Sequence, residues 1–284
     1  MAVVHIITGL QRTGKTLYLA YLANKYANDN LCLTRCHSLI DEYNAKGFHF
    51  SKPKTPVFTD FDIELHRPLQ KPIHAYWING FYLGLPAAVL KHGKDKQEHV
   101  VYRTMLLPPG IKIFLDEGNK FADSQNEDLM PDCKKRWIEL MGQFEQELFL
   151  VAHRPTAVSK KVRDYADFTI FLKTDFYYNE WGNISVVKMQ YRRLENFQQM
   201  EAYLKSEILP NGNKIETLTI DCEALCNNIP AYYNTKFFDK YFLQGAKDRD
   251  FDLIFHQNNF STPEDIDLFC KKYSYKVPKE IKQL

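Results

Sequence analysis

An eight-residue segment near the start of the chain restricts its possible folds more than any other feature. Residues 9–16 read Gly-Leu-Gln-Arg-Thr-Gly-Lys-Thr, which fits the pattern G-x-x-x-x-G-K-[ST]. The β-branched run 3–7 precedes it and predicts a strand, and apolar residues at helical spacing follow it from Lys15. A strand, a glycine-containing loop and a helix in this order predict a phosphate-binding loop in an α/β fold.

The residues of this loop have separate expected roles. Gly9 and Gly14 permit the turn that aims backbone N–H groups at a phosphate, and the helix N-terminus adds the positive end of its dipole. Lys15 is expected to contact the β- and γ-phosphates, and Thr16 to offer a hydroxyl to Mg²⁺. The predicted nucleotide-binding residues are Gly9, Leu10, Gln11, Arg12, Thr13, Gly14, Lys15 and Thr16.

An acidic pair follows a later apolar run. Residues 111–115 predict a strand, and Asp116 and Glu117 come directly after it. We expect Asp116 to hold Mg²⁺ and Glu117 to polarise an attacking water as general base. Taken alone, the pair could simply begin a helix, because acids favour a helix N-terminus. Combined with the loop, it favours hydrolysis of a nucleoside triphosphate over phosphoryl transfer to a metabolite.

Basic residues follow a further predicted strand at 147–152. In hydrolases of this plan, a strand between the two motif strands carries a polar γ-phosphate sensor at its tip. His153 is the candidate by position, with Arg154 beside it, and an exposed cation at a strand end is an equally good interpretation. Arg163 is a candidate arginine finger directed at a neighbouring subunit, or else part of a solvated basic loop. The cations that could instead line a nucleic-acid channel are Arg154, Lys160, Lys161 and Arg163.

The remaining pattern divides the chain into a core and additions. We predict an ATPase core at 1–228 with a loop-rich insertion at about 41–109, and a small helical appendage at 229–284. The further predicted elements are strands at 31–36, 165–172, 184–191 and 215–220, one or two helices around 77–92, and helices at 132–146 and 194–208. A strand at 31–36 would complete a βαβ unit and place Cys32 and Cys36 on one face of a core.

Charge and hydropathy exclude several classes of protein. Lys and Arg number 37 against 35 for Asp and Glu, a net charge of +2, so the whole surface is not built to bind nucleic acid. Any contact with DNA must therefore be local. No run approaches the roughly 18 apolar residues of a membrane span, and the first residues do not resemble a signal peptide.

The motifs together resemble a known family. The order GLQRTGKT, FLDE and LFLVAHRPTAVSKKVRDYADFTIFLK resembles the zonular occludens toxin family, which includes the assembly ATPases of filamentous phages. It is also similar to the genome-packaging ATPases of the FtsK–HerA group in membrane-containing icosahedral viruses. The resemblance covers about residues 1–193, and the segment at 229–238 adds a weaker similarity. It implies a RecA/FtsK–HerA-like P-loop NTPase core: a mainly parallel sheet flanked by helices, a β-hairpin extension and a small C-terminal helical tail.

The resemblance also implies a function. It suggests an Mg²⁺-dependent ATPase that works as an oligomeric ring and packages viral DNA in the host cytoplasm, with a capsid or membrane-vertex protein as partner. The alternative is a zonular occludens toxin-like assembly ATPase with a membrane partner. Filamentous-phage proteins carry a membrane span after the core and this chain has none, and His153 stands where many FtsK–HerA members have Gln. A nucleotide-dependent structural switch is a further alternative. A small-molecule kinase would need a lid with several arginines, and Arg103, Arg136 and Arg154 are too dispersed to form one.

Overall fold

The computed structural model describes most of the predicted core. The described residues are 3–48, 50–61, 63–65, 73–77, 86–91, 98–102, 107–125, 130, 132–206 and 214–222. The strands among them are β1 (Val4–Gly9), β2 (Val57–Thr59), β3 (Glu64–Leu65), β4 (Ile73–His74), β5 (Tyr76–Trp77), β6 (Pro86–Lys91), β7 (Glu98–Tyr102), β8 (Lys112–Leu115), β9 (Glu147–Val151), β10 (Ala166–Tyr178), β11 (Ile184–Leu194) and β12 (Glu216–Asp221). The α-helices among them are α1 (Lys15–Ala27), α2 (Asn30–Ala45), α3 (Gly118–Phe121), α4 (Asp132–Leu140), α5 (Lys160–Arg163) and α6 (Phe197–Leu204).

An eight-stranded sheet organises the fold. Its order is β12-β11-β10-β1-β9-β8-β2-β5. The six strands from β10 to β5 run parallel, whereas β11 and β12 continue the sheet antiparallel. This architecture confirms the predicted α/β fold with a mainly parallel sheet and a β-hairpin, formed by β10 and β11.

Helices cover both faces of the sheet, because alternate residues of each buried strand point to opposite sides. On one face, α1 packs through residues such as Leu19 and Ala23 against Ile7 and Phe149 of the sheet. On the other face, residues of α2, α4, α5 and α6 join a second core with strand residues such as Ile6. Buried on both faces, the central strands read as nearly continuous apolar runs.

The strand order places β9 between the two motif strands. β1 pairs with β9, and β9 pairs with β8, all in parallel. The carboxyl ends of these strands therefore meet at one edge of the sheet, which we call the carboxyl edge. The loop after β1, the acidic pair after β8 and the residues after β9 all begin there.

The predicted strand at 31–36 is wrong, because this segment is the first part of α2. The Asp29 carboxylate accepts hydrogen bonds from the backbone N–H groups of Leu31 and Cys32 and so caps the helix. Cys36 and Ile40, one helical turn apart, are buried on its inner side. Cys32 and Cys36 therefore lie on one face of a helix and not of a strand. The next strand along the chain after β1 is β2.

The segment 41–109 departs from its prediction in two ways. Two of its strands, β2 and β5, pair within the principal sheet, so this part of the predicted insertion contributes to the core. The helices predicted around residues 77–92 are wrong for the described residues, where the chain forms β5 and β6. The pairing of β6 with β7 joins positions 86–91 and 98–102, and a local apolar pattern does not reveal such a partner.

Two predicted helices are shorter than expected. The helix predicted at 132–146 ends at Leu140, and the chain then turns with a positive φ of 52° at Glu145. The helix predicted at 194–208 begins only at Phe197, because Leu194 still pairs in β11 and the Asn196 side chain caps the helix. The appendage predicted at 229–284 lies outside the described residues. In the parts of the chain that the structure describes, no helix is long and apolar enough to cross a membrane.

Candidate active site

The loop after β1 has the backbone of a phosphate-binding loop. Gly9 adopts a φ of 137°, and a Cβ at this position would lie 2.3 Å from the backbone oxygen of Phe171 on β10. Gly14 adopts a φ of 76° immediately before α1. Both values fall where glycine is favoured over residues that carry a Cβ. The backbone of β10 therefore requires glycine at position 9, and the left-handed conformation favours glycine at position 14.

Lys15 lies folded into this loop. Its ammonium donates hydrogen bonds to the backbone oxygens of Leu10 at 2.6 Å and Gly9 at 3.1 Å, and the residue is only 6% exposed. Burial lowers the pKa of Lys15, and the negative charge of Asp116 partly offsets this shift. The ammonium is thus held at the mouth of the loop by carbonyl groups that a phosphate oxygen could replace.

Two oxygen atoms from distant parts of the chain meet beside Lys15. The Thr16 hydroxyl, in the first turn of α1, donates to Oδ2 of Asp116 at 3.2 Å. Asp116 directly follows β8, so the strand order brings together residues 100 positions apart. Hard oxygen ligands at this separation suit Mg²⁺, because bonds of about 2.1 Å in an octahedral shell put neighbouring ligands about 3 Å apart. Thr16 and Asp116 therefore fit the predicted metal site.

Glu117 follows at the same edge in an unusual backbone conformation. Its φ of 53° and ψ of 58° lie in the left-handed region, which costs a residue with a Cβ about 1–2 kcal/mol. Its backbone N–H donates to Oδ1 of Asp116 at 3.1 Å. The two oxygens of Asp116 thus accept hydrogen bonds from two different elements, which fixes the turn from which Glu117 projects.

Sequence analysis did not identify Asp60, which also lies at this edge. Asp60 directly follows β2, is 8% exposed, and its Oδ1 accepts a hydrogen bond from the backbone N–H of Asp116 at 2.8 Å. An acid after a short apolar run was the available signal. It was missed because the strand predicted at 31–36 took the place of β2 as the next strand of the sheet.

The β10–β11 hairpin supports the loop from the side opposite the acids. The Thr174 hydroxyl on β10 donates to the backbone oxygen of Thr13 at 2.6 Å, and the Thr13 hydroxyl donates to the backbone oxygen of Leu10 at 2.7 Å. Met189 on β11 approaches Gly14, where a Cβ would lie 3.0 Å from the methionine methyl group. Sequence analysis predicted the hairpin but not this contact with the loop.

His153 and Arg154 lie at the carboxyl edge, as their position after β9 predicts. The backbone N–H of Ala152 still donates to the oxygen of Ile7 on β1 at 2.9 Å, and the two residues that follow are exposed. Their strand stands between β1 and β8, where a γ-phosphate sensor is expected. A sensing role for either residue stays a prediction.

Arg163 lies away from the loop of its own chain. It ends α5, just before β10 begins at Ala166, and Ala166 pairs with Val4 at the amino end of β1. Its guanidinium stands 4.0 Å from the ring centroid of Phe197. The structure thus separates Arg163 from Arg154, and a finger role would require a neighbouring subunit.

Comparison with known proteins gives matches among solved structures. No protein-family model and no curated protein matches the chain. The structure is similar to the N-terminal domain of zonular occludens toxin from Neisseria meningitidis, with 14% identity and a TM-score of 0.44 over 82% of this chain and 100% of that one. It is also similar to the genome packaging NTPase B204 of Sulfolobus turreted icosahedral virus 2 in complex with ATP-gammaS, with 11% identity and a TM-score of 0.31 over 76% and 96% of the two chains. One is a zonular occludens toxin and the other a viral genome packaging NTPase, which are the two kinds of protein that the motif order resembles.

Proposed function

We propose that the protein is an Mg²⁺-dependent ATP hydrolase. The observation that carries this proposal is the hydrogen bond of 3.2 Å between Thr16 and Asp116, beside the buried ammonium of Lys15. These residues come from two motifs that sequence analysis assigned separately. Binding of a nucleoside triphosphate with its metal ion requires these residues to lie together, as they do at the carboxyl edge.

The residues have distinct parts in the proposed reaction. The loop 9–16 and Lys15 bind and orient the phosphates, and the Thr16 hydroxyl and Asp116 carboxylate hold Mg²⁺. Bound there, Mg²⁺ would neutralise charge on the phosphate oxygens. Glu117 would orient the attacking water and accept its proton. His153 or Arg154 would sense the γ-phosphate, and Arg163 would act on the nucleotide of a neighbouring subunit.

A Lys15→Ala variant tests the nucleotide site. Removing the ammonium takes away the positive charge that faces the phosphates, so we expect ATP hydrolysis to fall by at least about 100-fold. Lys25→Ala is the matched control, because Lys25 is exposed in the last turn of the same helix. Phosphate release is measured with and without EDTA. Full activity in Lys15→Ala, or in wild-type protein without divalent cations, would contradict the proposal.

We further propose that hydrolysis drives DNA translocation by a ring of subunits, in the packaging of a viral genome. The net charge of the chain is only +2, so DNA binding requires a local patch of positive charge. Exposed cations on the surface around α5, including Lys160 and Lys161, offer such a patch. Mass measurement with ATP should reveal a closed oligomer, and double-stranded DNA should stimulate hydrolysis. If the active protein neither binds nor responds to DNA or RNA, the motor function is wrong.

The tip of the β10–β11 hairpin favours the alternative, an assembly ATPase with a protein or membrane partner. Trp181 is 84% exposed and Tyr178 63% exposed, and aromatic side chains at such positions commonly mark a binding surface. This alternative predicts hydrolysis that DNA does not change. It also predicts copurification with a membrane protein encoded beside this chain, which Trp181→Ser should abolish.

A further inference from the structure

Asp60 is bonded to the backbone of the candidate metal-binding acid. β2 lies next to β8 in the sheet, so Asp60 and Asp116 follow neighbouring parallel strands. The backbone N–H of Asp60 donates to the oxygen of Phe114 at 3.2 Å, which continues the pairing of the two strands. The Asp60 side chain then accepts from the N–H of Asp116 at 2.8 Å. The carboxylate thus bridges the two strands where the regular ladder ends.

This bond holds the Asp116 peptide, to which the placement of both acids is linked. The carboxylate of Asp116 accepts from the Thr16 hydroxyl through Oδ2 and from the backbone N–H of Glu117 through Oδ1. A shift of the Asp116 peptide would therefore move one candidate metal ligand and also the turn that carries Glu117. Because Glu117 adopts a left-handed backbone conformation, this turn needs support from its neighbours.

We propose that Asp60 is a positioning residue that sets Asp116 for Mg²⁺ and Glu117 for the attacking water. The inference rests on the proposed ATP hydrolysis and adds a third acid to that site. The Asp60 side chain reaches the site through the hydrogen bond from the Asp116 backbone N–H to Oδ1. In this proposal Asp60 therefore acts through the backbone of Asp116.

The test compares Asp60→Ala, which removes the acceptor, with Asp60→Asn, which keeps an acceptor oxygen but not the charge. Binding of a fluorescent ATP analogue is titrated with Mg²⁺, and kcat and KM for ATP are measured separately. In Asp60→Ala we expect the half-maximal Mg²⁺ concentration to rise and kcat to fall, each by about 10- to 100-fold. Analogue binding without Mg²⁺ should not change, and Asp60→Asn should stay near wild type.

Asp29 supplies a matched control. Its carboxylate also accepts hydrogen bonds from backbone N–H groups, where it caps the N-terminus of α2. Asp29 follows the C-terminal end of α1, whereas the loop precedes the N-terminal end of that helix. Asp29→Ala and Asp29→Asn should leave the Mg²⁺ titration and kcat unchanged in the folded protein. If Asp60→Ala does not fold, Asp60→Ser replaces it, because serine lacks the carboxylate oxygen that accepts from the N–H of Asp116.

Each other outcome has a defined meaning. If Asp60→Ala lowers the melting temperature but leaves the Mg²⁺ titration and kcat unchanged, Asp60 has only a structural role and the inference is wrong. If Asp60→Asn is as defective as Asp60→Ala, the negative charge acts on the site directly, which also overturns the positioning role. If the wild-type protein hydrolyses no nucleotide, the proposed function fails, and the Mg²⁺ titration of analogue binding still decides the role of Asp60.

Discussion

Glu117 is one of two residues of the candidate site, with Arg12, that carry a Cβ and have a positive φ. Its backbone N–H donates to Asp116, which supports the left-handed conformation. A residue with this strain is often found where catalytic geometry matters. The catalytic role that the sequence predicts for the second acid after β8 stays a prediction.

A Glu117→Gln variant separates binding from turnover. The amide keeps the size of the side chain but cannot accept the proton of the attacking water, so kcat should fall by about 10²- to 10⁴-fold. Affinity for ATP and Mg²⁺ should change little, because Lys15, Thr16 and Asp116 are intact. Single-turnover phosphate release and equilibrium nucleotide binding measure the two effects. Glu201→Gln, an exposed position on α6, is the control, and equal turnover in both variants would exclude Glu117 as the base.

The candidate phosphate-binding loop contacts the β10–β11 hairpin at two points. Gly9 lies against the backbone of Phe171, and Thr174 holds the oxygen of Thr13. The loop is thus supported by a strand more than 150 positions later in the chain. Any movement of the hairpin would be transmitted to the loop through these two contacts.

A Gly9→Ala variant tests this dependence. A Cβ would meet the oxygen of Phe171 at 2.3 Å and would also force alanine to a φ of 137°, so we expect a loss of stability greater than about 1 kcal/mol. Nucleotide binding should also be lost, because the loop must shift. Gly47→Ala is the matched control, since Gly47 has a φ of 93° but nothing within 4 Å of its Cβ position. Equal melting temperatures and equal nucleotide affinities for the two variants would contradict the contact.

Individual elements differ in how well local sequence predicts them. β1 and α1 are short-range structures whose glycines, apolar spacing and order are all visible in 30 residues. The strand predicted at 31–36 is instead the first part of α2. The cap at Asp29 and the burial of Cys36 and Ile40 at helical spacing show why it is a helix. At the start of a short apolar segment, a single capping side chain can favour a helix over a strand.

A network of charges near the amino ends of the strands links four strands of the sheet. His5 on β1 lies 2.7 Å from Asp167 on β10, and Lys112 on β8 donates to Glu147 on β9 at 2.5 Å. Burial by itself would lower the pKa of His5, but the hydrogen bond to Asp167 and the charge of Glu147 together raise it to about 9. Burial would raise the pKa of Glu147, but His5 and Lys112 together lower it to about 2.

These shifts predict a pH dependence of the free energy of unfolding. His5 has a raised pKa in the folded protein, so its contribution is complete below about pH 6.5 and is lost as pH rises through 9. Glu147 has a lowered pKa, so its contribution is complete above about pH 4.5 and is lost as pH falls through 2. Both contributions are therefore complete between about pH 4.5 and pH 6.5. The His5 contribution is at most about 3 kcal/mol.

Melting temperatures between pH 5 and pH 9.5 check the prediction. The wild-type protein should lose stability over the alkaline part of this range, and His5→Asn should lose less, because asparagine carries no proton to release. Lys25→Ala serves as a control for general effects of surface charge. Parallel curves for wild type and His5→Asn would show that the His5 pKa does not contribute.

The phosphate-binding loop, the strand that ends in Asp116 and Glu117, and the β10–β11 hairpin could be predicted from sequence because each depends on neighbouring residues. Glycines with positive φ, a helix after a strand and a turn between two apolar runs all have local causes. The same local patterns predict that Lys15, Thr16 and Asp116 belong to one site. They contain no information on the distance between Thr16 and Asp116.

The tertiary structure was needed for strand neighbours that no motif predicts. It brings β2 beside β8 and so places Asp60 against the backbone of Asp116. It also puts Arg163 near the opposite end of the sheet from the loop. The pairing of parallel strands is set by the combined burial of both sheet faces, to which distant segments contribute. A local pattern therefore predicts which residues carry the chemistry, and strand pairing determines which of them meet.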